Sequence, residues 1–297
     1  VLVKTRTIEL GGPLHFADFG GEGPPIVLVH GLGGSHVNWM AVGPTLAKRG
    51  RVYAPDLLGF GRTPLAGRRP GIAANVELLA RFLHEQVRAP AILIGNSMGG
   101  LVSMLTAARH PTLVERLVLV GAALPIPLGT RIDPAVASMF ALYAVPLVGE
   151  LVLGHRLRKV GPEQVLRDTL RLCGITPSSL VPEIWDAASS LARERAGFPW
   201  ANQAFLGSAR SLLRENAQAS KVHAQIRDVR APTLLMHGTA DRLVSIEVSR
   251  HVARMRPDWA LTELPGAGHM PQLEVPERWT DAITAWLARE HAGAIAS

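Results

Sequence analysis

Short runs of apolar residues recur along the chain, each closing on a glycine-bearing loop: Ile26-Val27-Leu28-Val29, Ala91-Ile92-Leu93-Ile94, Leu117 to Val120, and Thr233 to Met236. Runs this short and this uniformly apolar fit strands buried on both faces of a parallel sheet. Arg51 to Pro55 is a further, shorter strand. Val1 to Leu10 alternates apolar and polar residues and reads as a strand too. Between these runs, Ile72 to Val87 carries Val76, Leu79, Ala80 and Leu83 at helical spacing, and Leu101 to His110 is helix-like. Near the end come a helix at about Ile246 to Met255, a weak strand at Ala260 to Leu264 and a last helix from Pro276 to Arg289. Strand and helix alternate at both ends, the pattern of a mostly parallel α/β sheet flanked by helices.

The middle of the chain breaks this rhythm. From Pro125 to Val229 prolines separate segments of helical periodicity, and no buried strand is evident. The expected organisation is an α/β core over 1–124 and 230–297, with a helical cap over 125–229 inserted after the sixth strand, where loops emerge above the sheet.

The loop after the Ala91 to Ile94 run is Gly95-Asn96-Ser97-Met98-Gly99-Gly100. A serine at the apex of so sharp a strand-to-helix turn is pushed above the sheet edge, and the following amide, Met98, is free at a helix N-terminus to face an oxyanion. Alone, G-x-S-x-G also fits a helix-capping serine. A nucleophilic serine needs a base and a group that orients the base. Asp241, just past the Thr233 strand, and His269, in Gly266-Ala267-Gly268-His269-Met270, supply them in the order Ser, Asp, His that such a sheet produces. A second oxyanion donor is expected from His30-Gly31-Leu32-Gly33-Gly34, at the Leu32 amide. His30, His237 and His36 are expected to hydrogen-bond loop backbone. No histidine and carboxylate share helical metal spacing near the site, and no dinucleotide or phosphate-loop fingerprint is present, so neither metal nor cofactor is expected.

Composition narrows the setting. At 297 residues and 47% hydrophobic the chain can bury one large core. Its single cysteine, Cys173, leaves no disulfide framework and reads as a small packed residue, which points to a cytoplasmic protein. The net charge of +7 is scattered without interleaved aromatics, so nucleic acid is not an expected partner. Pro134 to Gly149 is nearly uncharged, but it is too short for a membrane span and is interrupted by Pro146. It reads as a cap helix in preference to an interfacial contact.

With these motifs in place, the chain resembles the α/β-hydrolase-fold superfamily: H-G-x-G at His30, D-L-x-G-x-G at Asp56, G-N-S-M-G-G at Gly95, H-G-x-x-D at His237 and G-H-x-P-x-x-E at Gly268. The resemblance implies Ser97 as nucleophile, Asp241 as acid, His269 as base, and oxyanion amides at Leu32 and Met98. Haloalkane dehalogenases and epoxide hydrolases of this fold carry an aspartate where this chain has Ser97. Hydrolases that cleave carbon–carbon bonds in vinylogous diketones share the Asn96-Ser97 elbow. They typically carry a tryptophan after the base, where Met270 stands here, and a cap arginine for the substrate's acidic end, to which no arginine here is matched, although Arg193 and Arg195 lie in a plausible helix.

Apolar and aromatic residues crowd the expected cap, among them Met139, Phe140, Leu142, Tyr143, Trp200 and Phe205. Trp39, Met139, Tyr143 and Met270 are expected to line a greasy site for a small-molecule ester with an apolar acyl group. The expected activity is therefore carboxylic ester hydrolysis of esterase or lipase type. Carbon–carbon hydrolysis is the alternative, and a ligand-binding receptor on the same fold the reading from another class.

Overall fold

The computed structural model describes residues 3–295, with side chains through 289. Val1 and Leu2, part of the expected first strand, lie outside the described residues. The strands are β1 (Lys4–Glu9), β2 (Pro13–Gly20), β3 (Pro25–Val29), β4 (Arg51–Pro55), β5 (Ala91–Asn96), β6 (Val114–Val120), β7 (Thr233–Gly238) and β8 (Ala260–Leu264). They form one sheet in the order β1-β2-β4-β3-β5-β6-β7-β8. The first two pairings, β1 with β2 and β2 with β4, are antiparallel, and every other is parallel.

Each apolar run serves two cores at once, because successive side chains of a strand point to opposite faces. Val27, Val29, Leu93, Leu117, Leu119 and Leu235 pack on one side. Ile26, Leu28, Ile94, Val118, Val120 and Met236 pack on the other. The N-terminal half contributes α1 (Gly43–Leu46), α2 (Ile72–Arg81) and α3 (Met98–Arg109). Between the sixth and seventh strands stand α4 (Pro134–Ala144), α5 (Val148–Leu172), α6 (Pro182–Ala196), α7 (Ala201–Ala217) and α8 (Ala219–Asp228), and no strand is found there among the described residues. The chain closes with α9 (Glu247–Met255), α10 (Pro271–Glu274) and α11 (Pro276–Ile295).

Local chemistry sets several of these boundaries. Asp133 caps α4 by accepting from the Ala135 and Val136 amides at 2.9 and 3.4 Å, with Pro134 in the first turn. Gly161, at φ 79°, followed by Pro162, breaks α5 internally. The expected helix over 72–87 is α2 continued by a π-helical turn, Phe82–Val87.

The sequence reading did not find β2. All six interior residues of this strand are buried, including His15 and Asp18, so neither alternation nor an uninterrupted apolar run marks it. Asp18 pairs with Arg51 at 2.6 Å, the His15 ring Nδ1 lies 3.0 Å from the Thr7 hydroxyl, and the His15 amide donates to the Thr63 hydroxyl at 2.9 Å.

Candidate active site

Ser97 sits where β5 gives way to α3, with φ 58° and ψ −122°, a backbone conformation that is costly for a residue with a side chain. Two features hold it there. Its amide donates to the Val120 carbonyl at 3.0 Å, and its carbonyl accepts from the Gly100 and Ala123 amides at 2.9 and 3.0 Å. Gly99 lets α3 start against the end of β3, since a Cβ there would press on the Val29 and His30 carbonyls. Gly31 approaches the serine equally closely: a Cβ on it would stand 2.9 Å from the Ser97 Cβ and 3.5 Å from Oγ. The Leu32 and Met98 amides have no hydrogen-bond partner among the described residues.

Asp241 and His269 meet as expected, with Nδ1 2.7 Å from Oδ2. The other carboxylate oxygen accepts from the Leu243 and Val244 amides at 2.9 and 3.0 Å. His237 Nε2 lies 3.2 Å from Oδ2 and 2.9 Å from the Val244 carbonyl, two acceptors, so this nitrogen carries the proton and Nδ1 accepts from the Ser249 hydroxyl at 2.7 Å. Burial pushes the Asp241 carboxyl up, but the neighbouring His269 charge and the hydrogen bonds from His237 and His269 outweigh it and hold the group far below the usual carboxylate range. Asp241 is therefore an anion at any working pH. Its contact with Nδ1 orients the His269 ring and leaves Nε2 as the nitrogen not bonded to the carboxylate.

The loop carrying His269 is anchored by three residues distant in sequence or outside the expected site. Asn96 donates to the Val120 and His269 carbonyls, both at 3.0 Å, so the residue before the serine ties the elbow directly to the histidine loop. The His269 amide donates to the Cys173 carbonyl at 2.9 Å. Glu274 accepts from the Gly268 amide, which accounts for the glutamate of G-H-x-P-x-x-E. Buried Cys173 itself is inert: burial pushes its thiol up to about 12. Of these anchors the Glu274 spacing is legible in the motif, while the Cys173 carbonyl has no sequence signal.

Of the expected substrate-lining residues, Trp39 is misplaced. It is fully buried in the core below the sheet, 6.1 Å from Trp279, because Ser35 caps the turn His36–Trp39 and directs the indole inward. Met270 is buried among Val37, Leu170, Cys173 and Leu273, joining the histidine loop to the helices that precede β7. Met139 is half-buried on α4. Tyr143 packs edge-on against Phe205 at 5.4 Å, and Phe205 covers Gly33, where a Cβ would meet its ring at 3.3 Å. A chain of aromatic contacts thus runs from α4 through α7 to the glycine loop, and Phe205 is its central member.

Neither candidate cap arginine is free. Arg195 donates to the Gly61 and Gly59 carbonyls at 2.8 and 3.1 Å and stacks near Phe60 and Trp200, where burial lowers its guanidinium to about 10. Arg193 pairs with Glu163.

His30 bonds loop backbone at Gly31 and Leu57, and His237 bonds the Val244 carbonyl together with the Ser249 hydroxyl, whereas His36 binds a side chain, the Asp56 carboxylate, through Nδ1 at 3.0 Å. His15, His36 and Asp56 place ligand atoms within 4.8 Å of one another. Three N–H groups, the His36 and Arg62 amides and His36 Nδ1, already converge on that carboxylate, so His36 and Asp56 form a hydrogen-bonded brace for the loop after β4.

His30 is a second brace. Its Nε2 accepts from the Leu57 amide at 2.9 Å, which puts the proton on Nδ1, bonded to the Gly31 carbonyl at 2.8 Å. Burial lowers its pKa from 6.5 to about 4. The unfolded chain takes up this proton near pH 6.5 and the folded one only near 4, so the contribution to stability is complete above pH 6.5 and is lost as pH falls towards 4. The expected loss from this residue is about 3 kcal/mol. Urea unfolding from pH 7 to pH 4 should show a shallower fall for His30→Asn, less stable at pH 7, than for the parent.

The chain belongs to the alpha/beta hydrolase fold family, whose model matches residues 24–276. It is 29% identical over 298 aligned residues to a 2-hydroxy-6-oxo-6-(2'-aminophenyl)hexa-2,4-dienoic acid hydrolase of Metapseudomonas resinovorans, covering 97% of this chain and 88% of that one. It is 31% identical over 260 residues to a pimeloyl-[acyl-carrier protein] methyl ester esterase of Aromatoleum aromaticum, covering 86% and 94%. Among solved structures, a haloalkane dehalogenase from Bradyrhizobium elkanii superposes with a TM-score of 0.77 at 22% identity, covering 98% and 99%. That likeness is one of fold alone.

Proposed function

We propose that this hydrolase is a serine esterase acting on carboxylic esters with apolar acyl groups. Ser97 Oγ attacks the ester carbonyl, and His269 Nε2 takes its proton and returns it to the leaving alcohol. The acyl-enzyme is then cleaved by water activated through the same imidazole. The Leu32 and Met98 amides receive the charge on the tetrahedral oxygen. Residues 125–229 act as the cap, with Tyr143 and Phe205 bounding the acyl site and Met139 and Met270 at its margins. The observation that carries this reading is the 2.7 Å pair of His269 with an ionised Asp241, on a loop bonded to the elbow through Asn96.

Carbon–carbon hydrolysis is the second reading, favoured by the Metapseudomonas relative and the shared asparagine. The ester reading has the support of the arginines: Arg193 and Arg195 are committed to Glu163 and to the Gly59 and Gly61 carbonyls, which leaves neither for a substrate carboxylate. Initial rates on p-nitrophenyl esters from acetate to laurate, measured beside a ring-fission dienone acid, separate the two. Turnover of the esters is expected, with an optimum at medium chain length. Turnover confined to the dienone acid would transfer the assignment to carbon–carbon cleavage, and binding of both without turnover by the folded protein would make it a receptor.

A further inference from the structure

The corner between α4 and α5 exposes its apolar side chains. Leu147 is 75% exposed and Leu151 68%, with Leu142, Val145 and Val148 exposed beside them. Isolated exposed leucines are ordinary, but a cluster from one ten-residue stretch marks a surface that meets something apolar. Leu147 holds φ 68°, an uncommon conformation for a residue with a side chain, at the position that starts α5 after Pro146.

The corner is firmly held from behind. Arg210 of α7 donates to the Tyr143 and Val145 carbonyls at 2.9 and 3.1 Å and to Glu150 at 2.7 Å. Its inner side is the buried Tyr143, packed on Phe205 and so one residue removed from Gly33 of the glycine loop. The exposed side chains are thus presented on a fixed support that is coupled to the site.

Along the stretch that carries the corner, the unpaired charge has one sign. Every acidic residue from 126 to 172 is engaged: Asp133 with Arg242, Glu150 with Arg210, Glu163 with Arg193, and Asp168 with Arg156. Arg131, Arg158 and Lys159 are exposed and form no ion pair among the described residues. The unspent charge is cationic, on a chain of net charge +7. An apolar tip with a cationic margin matches the surface of a bilayer containing anionic lipid, where leucines enter the acyl boundary and each cation near the surface adds attraction.

We propose that the α4–α5 corner docks this protein peripherally on an anionic membrane surface, with Leu147 and Leu151 inserted and Arg131, Arg158 and Lys159 against the headgroups. No single described helix is long and apolar enough to cross a membrane. α4 and α5 together are apolar enough, but they meet at 114° and are clamped to α7, a geometry for lying on the interface. The two roles that the sequence leaves open for this stretch, cap helix and interfacial contact, are compatible in one element. Docking would deliver apolar esters from the bilayer to the side of the site lined by Tyr143 and Phe205.

Co-sedimentation with vesicles tests this, using phosphatidylglycerol mixed with phosphatidylcholine against phosphatidylcholine alone. Hydrolysis of p-nitrophenyl butyrate without vesicles serves as an independent readout of the esterase reading. Binding is expected on the anionic vesicles, at least about tenfold weaker on the neutral ones and weakened by salt. Leu147→Asp/Leu151→Asp and Arg158→Glu/Lys159→Glu should each lose at least about tenfold in vesicle binding, while keeping the parent's butyrate rate and melting temperature. Failure of the parent to bind anionic vesicles, or unchanged binding by both variants, would overturn the proposal. So would a dimer in gel filtration that the leucine variant dissociates without any vesicle binding, since the corner would then face a second copy of the chain.

Discussion

Replacing Ser97 with alanine is expected to lower kcat on the best p-nitrophenyl ester by about 10⁴-fold or more, with KM and melting temperature little changed. The change removes one oxygen from a side chain whose hydroxyl makes no hydrogen bond that holds the fold, and alanine meets the same backbone conformation as serine. Steady-state kinetics and a thermal melt of the purified variant check both halves. The residual rate reports what the Leu32 and Met98 amides and substrate positioning achieve without covalent chemistry. A loss below tenfold would mean that the hydroxyl is not the attacking group, whatever the conformation of the turn.

Asp241→Asn is expected to cost about 10⁴-fold in kcat, for a different reason. The carboxylate accepts from the Leu243 and Val244 amides through one oxygen and faces two imidazole nitrogens with the other. An amide has one acceptor oxygen. If that oxygen keeps the two backbone donors, the new NH₂ faces His269 Nδ1 and forces its proton to Nε2, the nitrogen that must receive the serine proton. The base is then absent although every atom but one is in place. The same NH₂ confronts the proton on His237 Nε2, so a loss of about 1–3 kcal/mol in stability accompanies the kinetic loss. Asp241→Asn should therefore melt below Ser97→Ala. Equal melting temperatures would show that the two backbone amides, and not the paired histidines, dominate the energetics of the carboxylate.

Most of what positions these residues could be read from the chain, because it is local. The apolar runs that became β3, β5, β6 and β7 are buried on both faces and carry no competing pattern, and the glycines around Ser97 and His30 mark turns where backbone approaches backbone. β2 has no clear signal because His15 and Asp18 are buried by partners supplied from elsewhere, and Trp39 lies in the core and not at the site because periodicity does not tell which way a short capped turn faces. The helical stretch was legible only as helices. Its dealings with the site are long-range: Arg195 on the loop after β4, the Cys173 carbonyl on His269, and Phe205 on Gly33. Periodicity has no means of encoding such contacts. For the same reason the sequence matches no cap arginine to a substrate, and it is the three-dimensional partners of Arg193 and Arg195 that show both engaged.

The central claim is that Ser97 is the nucleophile of an acyl-transfer site, and trapping tests it without any assumption about the substrate. Incubating the protein with a fluorophosphonate and measuring its intact mass, followed by peptide mapping, should give a single adduct on Ser97 that is absent from Ser97→Ala and formed far more slowly by Asp241→Asn. An unmodified Ser97 in the folded protein, or an adduct at another serine that survives Ser97→Ala, would contradict the account.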